Sequence, residues 1–185
     1  MSQPFRNGPI DCGFDYFYGI SASLDFPPYV FLEQDRATVV PTATRKARGK
    51  RVGGPAWESM RAGLAVVGFE PEHLLPKLAS EVRTYINKQE AEKPFFIYLP
   101  ITAPHTPVNP NSEFLGTSQA GIYGDFVREI DAFMGDLIKT LKAKKLHKNT
   151  LVIFTADNGC SRVSFSPEFE EKYQHKTSYI YKGRK

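Results

Sequence analysis

The pattern that most restricts this chain is a strand, a long amphipathic helix and a second strand in succession. Phe95-Phe96-Ile97-Tyr98-Leu99 is a short, nearly continuous apolar run closed by Pro94 and Pro100, and it reads as a strand buried on both faces. Tyr123, Phe126, Val127, Ile130, Phe133, Met134, Leu137, Ile138 and Leu141 then recur at helical spacing, with Ser118 as the expected N-cap. Leu151-Val152-Ile153-Phe154 repeats the buried-strand signature. Strand, crossover helix and strand make a βαβ unit, so the two strands are expected to be parallel with a right-handed connection. An earlier helix is expected from Pro71 to about Asn87. Pro71 suits a first turn, Glu70 and Glu72 complement its positive end, and Leu75, Leu78, Ala79, Val82, Tyr85 and Ile86 line one face.

The rest of the chain is less regular. Residues 1–70 carry much Gly, Pro and aromatic, as in Gly13-Phe14-Asp15-Tyr16-Phe17-Tyr18-Gly19, too apolar for disorder and too irregular for a helix. They read as ordered loops with short strands. Arg45 to Arg51 reads as an exposed, solvated basic loop, because no aromatic stacking residues interleave its cations. The expected class is α/β in three parts: a loop-rich 1–70, an α-β-α-β core over 71–159, and a loop over 160–185. Hydrophobic residues at 41% and charged residues at 24% of 185 exclude wholesale disorder. No apolar run approaches the roughly 18 residues of a membrane helix, and Met1 to Arg6 lacks the order of a secretory signal. A formal charge of +4 without a basic stripe gives no support to a nucleic-acid partner. Two cysteines, Cys12 and Cys160, exclude a disulfide-dense scaffold.

In open α/β sheets, ligands gather outside the carboxyl ends of the strands. That rule selects the segments after Leu99 and after Phe154. The first is a long loop containing Ala103-Pro104-His105-Thr106-Pro107, whose prolines stiffen the backbone around one imidazole. The second is Thr155-Ala156-Asp157-Asn158-Gly159, with two hard oxygen donors and a glycine for the turn. Carboxylate and amide oxygens suit Ca²⁺ or Mg²⁺ rather than zinc. Each motif alone also fits an ordinary turn or a rigid loop; their occurrence at consecutive strand ends favours a site. There is no Gly-x-Ser-x-Gly elbow, no Gly-rich phosphate loop and no zinc spacing around either cysteine.

Gly13 to Gly19, Phe95 to Pro107, Ile130-Asp131 with Gly135, and Asn149 to Gly159 together resemble the sulfatases, in particular arylsulfatase-type enzymes of the alkaline phosphatase superfamily. The resemblance implies an alkaline-phosphatase-like, mainly parallel sheet with flanking helices, truncated here at both ends. It implies that Asp157 and Asn158 are two of four protein ligands of Ca²⁺ or Mg²⁺. His105 would contact the sulfate ester and help protonate the leaving oxygen. Lys185, with Lys182 as the alternative, would grip the sulfate. The family nucleophile is a formylglycine made from a Cys/Ser-x-Pro-x-Arg motif. Neither cysteine fits that motif. Ser2-Gln3-Pro4-Phe5-Arg6 fits the bare pattern but is followed by Asn7-Gly8-Pro9-Ile10 in place of the family's Leu and Thr-Gly. The expectation is therefore a sulfuric ester hydrolase acting on a sulfated small molecule or glycan, with this chain an inactive fragment from the middle of the catalytic domain. Family members are commonly exported, periplasmic or lysosomal, which leaves the compartment open. The alternatives are a phosphodiesterase or phosphonate hydrolase of the same superfamily, and a non-catalytic binder of anionic glycans.

Overall fold

The computed structural model describes residues 3–181, 183 and 185. In the N-terminal stretch, β1 (Tyr18–Gly19), β2 (Leu32–Glu33) and β3 (Arg36–Ala37) form an antiparallel sheet in that order, with Tyr18 opposite Glu33 and Leu32 opposite Ala37. β4 (Ala43–Arg45) pairs antiparallel with β5 (Gly63–Ala65). Strands this short hold because aromatic packing fixes what lies between them. Leu24, Tyr29, Met60, Ala65 and Phe69 are buried in one cluster, and the Phe31 ring lies 5.5 Å from those of Tyr18 and Phe69.

The basic stretch is more anchored than the sequence suggests. The Arg45 guanidinium donates to the Phe69 carbonyl and pairs with Glu70 at 2.7 Å. Arg48 exchanges backbone hydrogen bonds with Met60 and is half-buried. Only Lys46, Lys50 and Arg51 of its cations are exposed. Gly49 makes this turn possible: its φ is +73°, and a Cβ there would sit 2.6 Å from the Ser59 Cα.

The helices are α1 (Leu74–Asn87), entered through a 3₁₀ turn at Pro71–His73, α2 (Gly121–Ala143) and α3 (Pro167–Tyr173). Leu75 shares a cluster with Phe126 and Ile130, Leu78 shares one with Phe133, and Ile86 shares one with Leu141. Residue numbers rise together along the contact, so α1 and α2 lie side by side and run the same way. Arg83 and Asp136 close the exposed rim of this contact at 2.8 Å. No helix among the described residues is long and apolar enough to cross a membrane.

Between the helices the chain returns in extended form. Phe95 and Ile97 pack with Ile86 and Leu141, whereas Leu99 and Ile101 pack near the beginnings of both helices. The second run travels likewise, from Leu146 beside Ile86 to Cys160 beside Tyr123. Both runs therefore head in one direction, as the strand–helix–strand pattern requires.

They do not pair, which departs from the expected parallel ladder. Neither run falls in a strand, and residues 151–158 make no backbone–backbone hydrogen bond among the described residues. Phe95, Ile97 and Leu99 are half-buried, while Phe96 and Tyr98 are 74% and 70% exposed; Leu151, Ile153 and Phe154 are exposed as well. Parallel pairing is weaker per residue than antiparallel and occurs in sheets covered on both faces. Here the helices cover one face of 95–99; on the other, Phe96 meets the Phe14 ring at 6.1 Å, and both Phe96 and Tyr98 stay largely exposed.

The start of α2 also differs from expectation. Its N-cap is Ala120, which gives no side-chain hydrogen bond. Ser118 lies upstream, where its hydroxyl donates to the Gly121 carbonyl. The orphan donors of the preceding turn are instead met from within the helix: the buried Asp125 carboxylate accepts from the backbone N–H groups of Gly116 (2.9 Å) and Ser118 (2.8 Å). Burial pushes the Asp125 carboxyl up, but these backbone donors outweigh it and hold the group below its ordinary value.

Two outcomes are expected. Ile86→Ala, at a fully buried position, should lower unfolding free energy by about 2–5 kcal/mol in urea titration, whereas Phe96→Ala should stay within about 0.5 kcal/mol of wild type. Asp125→Asn should cost about 1–3 kcal/mol at neutral pH. Because the folded carboxyl is held low, its contribution is present above the unfolded value and lost as pH falls through the folded one. The difference between Asp125→Asn and wild type should therefore shrink on acidification.

Candidate active site

His105 sits where the first extended run reaches the beginning of α2. Its backbone N–H donates to the Thr102 carbonyl at 3.0 Å, and its ring Nδ1 lies 2.8 Å from the Thr106 carbonyl oxygen. The Thr106 hydroxyl also stands 3.3 Å from Nδ1, but the carbonyl oxygen is nearer and can only accept. Nδ1 therefore carries the proton in the neutral ring, donating to that carbonyl, and Nε2 holds the lone pair. Nε2 has no protein partner among the described residues. The flanking peptide bonds Ala103–Pro104 and Thr106–Pro107 are cis. Thr106, Pro107 and Val108 are buried, while His105 itself is half-buried. The loop is thus rooted in the core with its imidazole at the edge.

Hydrogen bonds tie the loop to three other elements. The Val108 N–H donates to the Trp57 carbonyl at 2.8 Å. Asn109 Nδ2 donates to the Glu72 carboxylate at 2.6 Å. Asn111 donates its backbone N–H to Glu129 Oε2 (2.9 Å) and its Nδ2 to Glu129 Oε1 (2.5 Å) and to the Glu72 carbonyl (2.9 Å). Glu129 is buried, and that burial raises its carboxyl above the ordinary value even though the Asn111 donors pull it down. Sequence reading misses these residues. Their one signal is that Asp125 and Glu129 stand within the apolar stripe, between Tyr123, Phe126 and Ile130.

Asp157 and Asn158 are exposed and make no hydrogen bond or ion pair among the described residues. Just after them the chain is fixed again. Cys160 packs on the cluster of Tyr123, Phe126, Ile130 and Phe165, and its thiol donates to the Ser161 carbonyl at 3.4 Å. Burial first, and the neighbouring Cys160 thiol second, push the Tyr123 phenol far above its usual value. Ala103 and Val108, which flank His105, belong to the same cluster. The structure thus brings the His105 loop and the root of the Asp157–Asn158 turn onto one patch of core. It does not gather the remaining candidate: Lys185 is exposed and makes no hydrogen bond or ion pair among the described residues. Lys182 and Ser2 lie outside the described residues.

The donor chemistry of Asp157 and Asn158 fits a hard divalent cation, but the donor number does not complete a site. Ca²⁺ takes roughly six to eight oxygens, and no group of three or more His, Cys, Asp or Glu side chains among the described residues could hold a metal ion.

The Sulfatase family model matches residues 5–182. N-acetylgalactosamine-6-sulfatase of Canis lupus familiaris is 34% identical over 157 residues, covering 84% of this chain and 28% of that protein. N-acetylgalactosamine-6-O-sulfatase of Bacteroides thetaiotaomicron is 25% identical over 211 residues, covering 94% of this chain and 40% of that one. A solved structure described under metabolism of multiple glycosaminoglycans by the same bacterium superposes with a TM-score of 0.70 at 24% identity, over 83% of this chain and 38% of its own; it shares the fold. The chain therefore spans less than half the length of each of these relatives. With the family model matched over almost the whole of its length, this chain, an α/β partial domain, belongs to the sulfatase family.

Proposed function

We propose that this chain contributes the leaving-group end of a site that hydrolyses a sulfate ester, with a divalent cation at Asp157 and Asn158. The observation that carries the reading is the imidazole of His105. With Nδ1 tied to the Thr106 carbonyl at 2.8 Å, Nε2 is the ring nitrogen left to exchange a proton, and it does so at the edge of the core. In the protonated ring, Nε2–H donates to the ester oxygen as the carbon–oxygen side departs; in the neutral ring, its lone pair accepts. General acid catalysis of this kind contributes about 10²–10⁴-fold.

Asp157 and Asn158 would hold part of the shell of Ca²⁺ or Mg²⁺, and such an ion, when bound, withdraws charge from sulfate oxygens and from an oxygen nucleophile. Lys185 is the candidate to neutralise a further sulfate oxygen, as a cation flanking a transferring group does. The names of the relatives favour a sulfated amino sugar within a glycan as substrate. Formylglycine, the nucleophile the family implies, has no residue to form from among Cys12 and Cys160, neither of which starts a Cys-x-Pro-x-Arg sequence.

Two measurements test this. Titrated with N-acetylgalactosamine 6-sulfate in the presence of Ca²⁺, the chain should show shifts of the His105 ring and of the amides of 157–159 by NMR. Unsulfated N-acetylgalactosamine should leave them in place, and Asp157→Ala should abolish the Ca²⁺ response at 157–159. Equal responses to both sugars, or none, would overturn the assignment. Separately, the 185-residue chain should give no turnover of an aryl sulfate above the uncatalysed rate; metal-dependent turnover would refute the reading that neither Cys12 nor Cys160 supplies the nucleophile.

A further inference from the structure

The far end of the His105 loop is held by a residue with no part in the chemistry above. Asn111 spans two elements, donating to both oxygens of Glu129 on α2 and to the Glu72 carbonyl in the turn that enters α1. Asn109 meets the Glu72 carboxylate of the same turn, and Val108 is fixed to the Trp57 carbonyl. Between His105 and this clamp run Thr106, Pro107 and Val108, all buried and with two prolines in 104–107. A displacement at Asn111 therefore has no flexible stretch in which to dissipate before it reaches the imidazole.

We propose that Asn111, clamped between Glu129 and Glu72, is a positioning residue that keeps the His105 ring against the Thr106 carbonyl and so fixes which ring nitrogen exchanges the proton. This rests on His105 being the sulfate-facing histidine.

The energetic reason is the state of Glu129. A buried carboxylate with donors removed costs more than an exposed one, because its desolvation is no longer offset. In Asn111→Ala the carboxylate loses a donor at 2.5 Å, and the loop must shift to let another donor or water reach it. The Thr106 carbonyl moves with the loop, and the contact that selects the His105 tautomer loosens.

The test reads the ring and not turnover, so its failure is separate from failure of the catalytic reading. With ¹⁵N-histidine label in the full 185-residue chain, and the His105 signals assigned through His105→Gln, wild type should show a single Nδ1–H tautomer at neutral pH. Asn111→Ala should lose that signature, giving averaged or split ring signals, while far-UV circular dichroism keeps the helical signal. Glu129→Gln tests the same contact from α2, because one of the two Asn111 donors then faces an amide N–H. It should disturb the single tautomer as Asn111→Ala does. Wild-type ring signals retained in Asn111→Ala would overturn the proposal, as would a wild-type His105 already in mixed tautomers. Should Asn111→Ala not fold, wild-type ring signals in Glu129→Gln would overturn it equally.

Discussion

The inward face of α2 is the surface on which both halves of the candidate site are located. Tyr123, Phe126, Ile130 and Phe133 are buried along it, which supplies the non-directional part of the stabilisation; each large apolar side chain removed from water contributes about 1.5–3 kcal/mol. Direction comes from polar groups set within that face. Asp125 fixes Gly116 and Ser118, Glu129 fixes Asn111, and Tyr123 meets Cys160. Two segments far apart in sequence, the loop that carries His105 to Ser118 and the turn at Cys160, are thereby referenced to one rigid rod. The two acids strike opposite balances: at Asp125 the backbone donors outweigh burial, whereas at Glu129 burial outweighs the Asn111 donors. A carboxylate of the first kind stabilises its contact at neutral pH. One of the second kind makes the contact specific at a cost, because nothing but a correctly placed donor relieves it.

Periodicity made the helices legible. Leu75, Leu78 and Ile86, and Phe126, Ile130, Phe133 and Leu141, fall at core positions because a helix that buries one face must repeat its apolar residues every third or fourth place. The direction of the two extended runs was legible for the same reason, since a helix between them carries the chain back. Their pairing was not. A run such as Leu151-Val152-Ile153-Phe154 records that a segment can be buried in a sheet, not that its neighbours stand beside it, and here it is largely exposed. Arg45 illustrates the converse. Charge composition reads it as part of a solvated loop, yet Glu70 and the Phe69 carbonyl hold it, partners chosen by tertiary folding across a span no local window covers.

The same distinction governs the site. His105, Asp157 and Asn158 were accessible from sequence because their chemistry is written in neighbouring residues: prolines around the imidazole, a glycine after the oxygen pair. The residues that steady them were not, because Asn111 and Glu129 are eighteen positions apart and only the folded chain makes them adjacent. An acid inside an otherwise apolar stripe is the trace such a contact leaves in sequence. Asp125 and Glu129 both show it, and both proved to be buried and satisfied by loop donors.

The two ends of the site are built to different degrees, and the reason is electrostatic. The His105 loop is held by apolar contacts and by hydrogen bonds to the backbone and to the Glu72 and Glu129 carboxylates, all within this chain. To act as proposed, the Asp157–Asn158 turn would instead have to draw a cation out of water. A hydrated divalent ion exchanges its shell favourably only when several oxygens converge, and two exposed donors leave most of that shell as water. Their freedom from internal hydrogen bonds among the described residues is the state a ligand oxygen needs before coordination, since a lone pair already accepting from the protein would have to be released first. What the fold fixes is the root of the turn, through Cys160 on the Tyr123 cluster, so that the oxygens remain near the core patch that carries the imidazole while staying open to further donors. On the proposed reading, packing within this chain would organise proton transfer, and charge neutralisation would depend on how many more oxygens and cations meet Asp157.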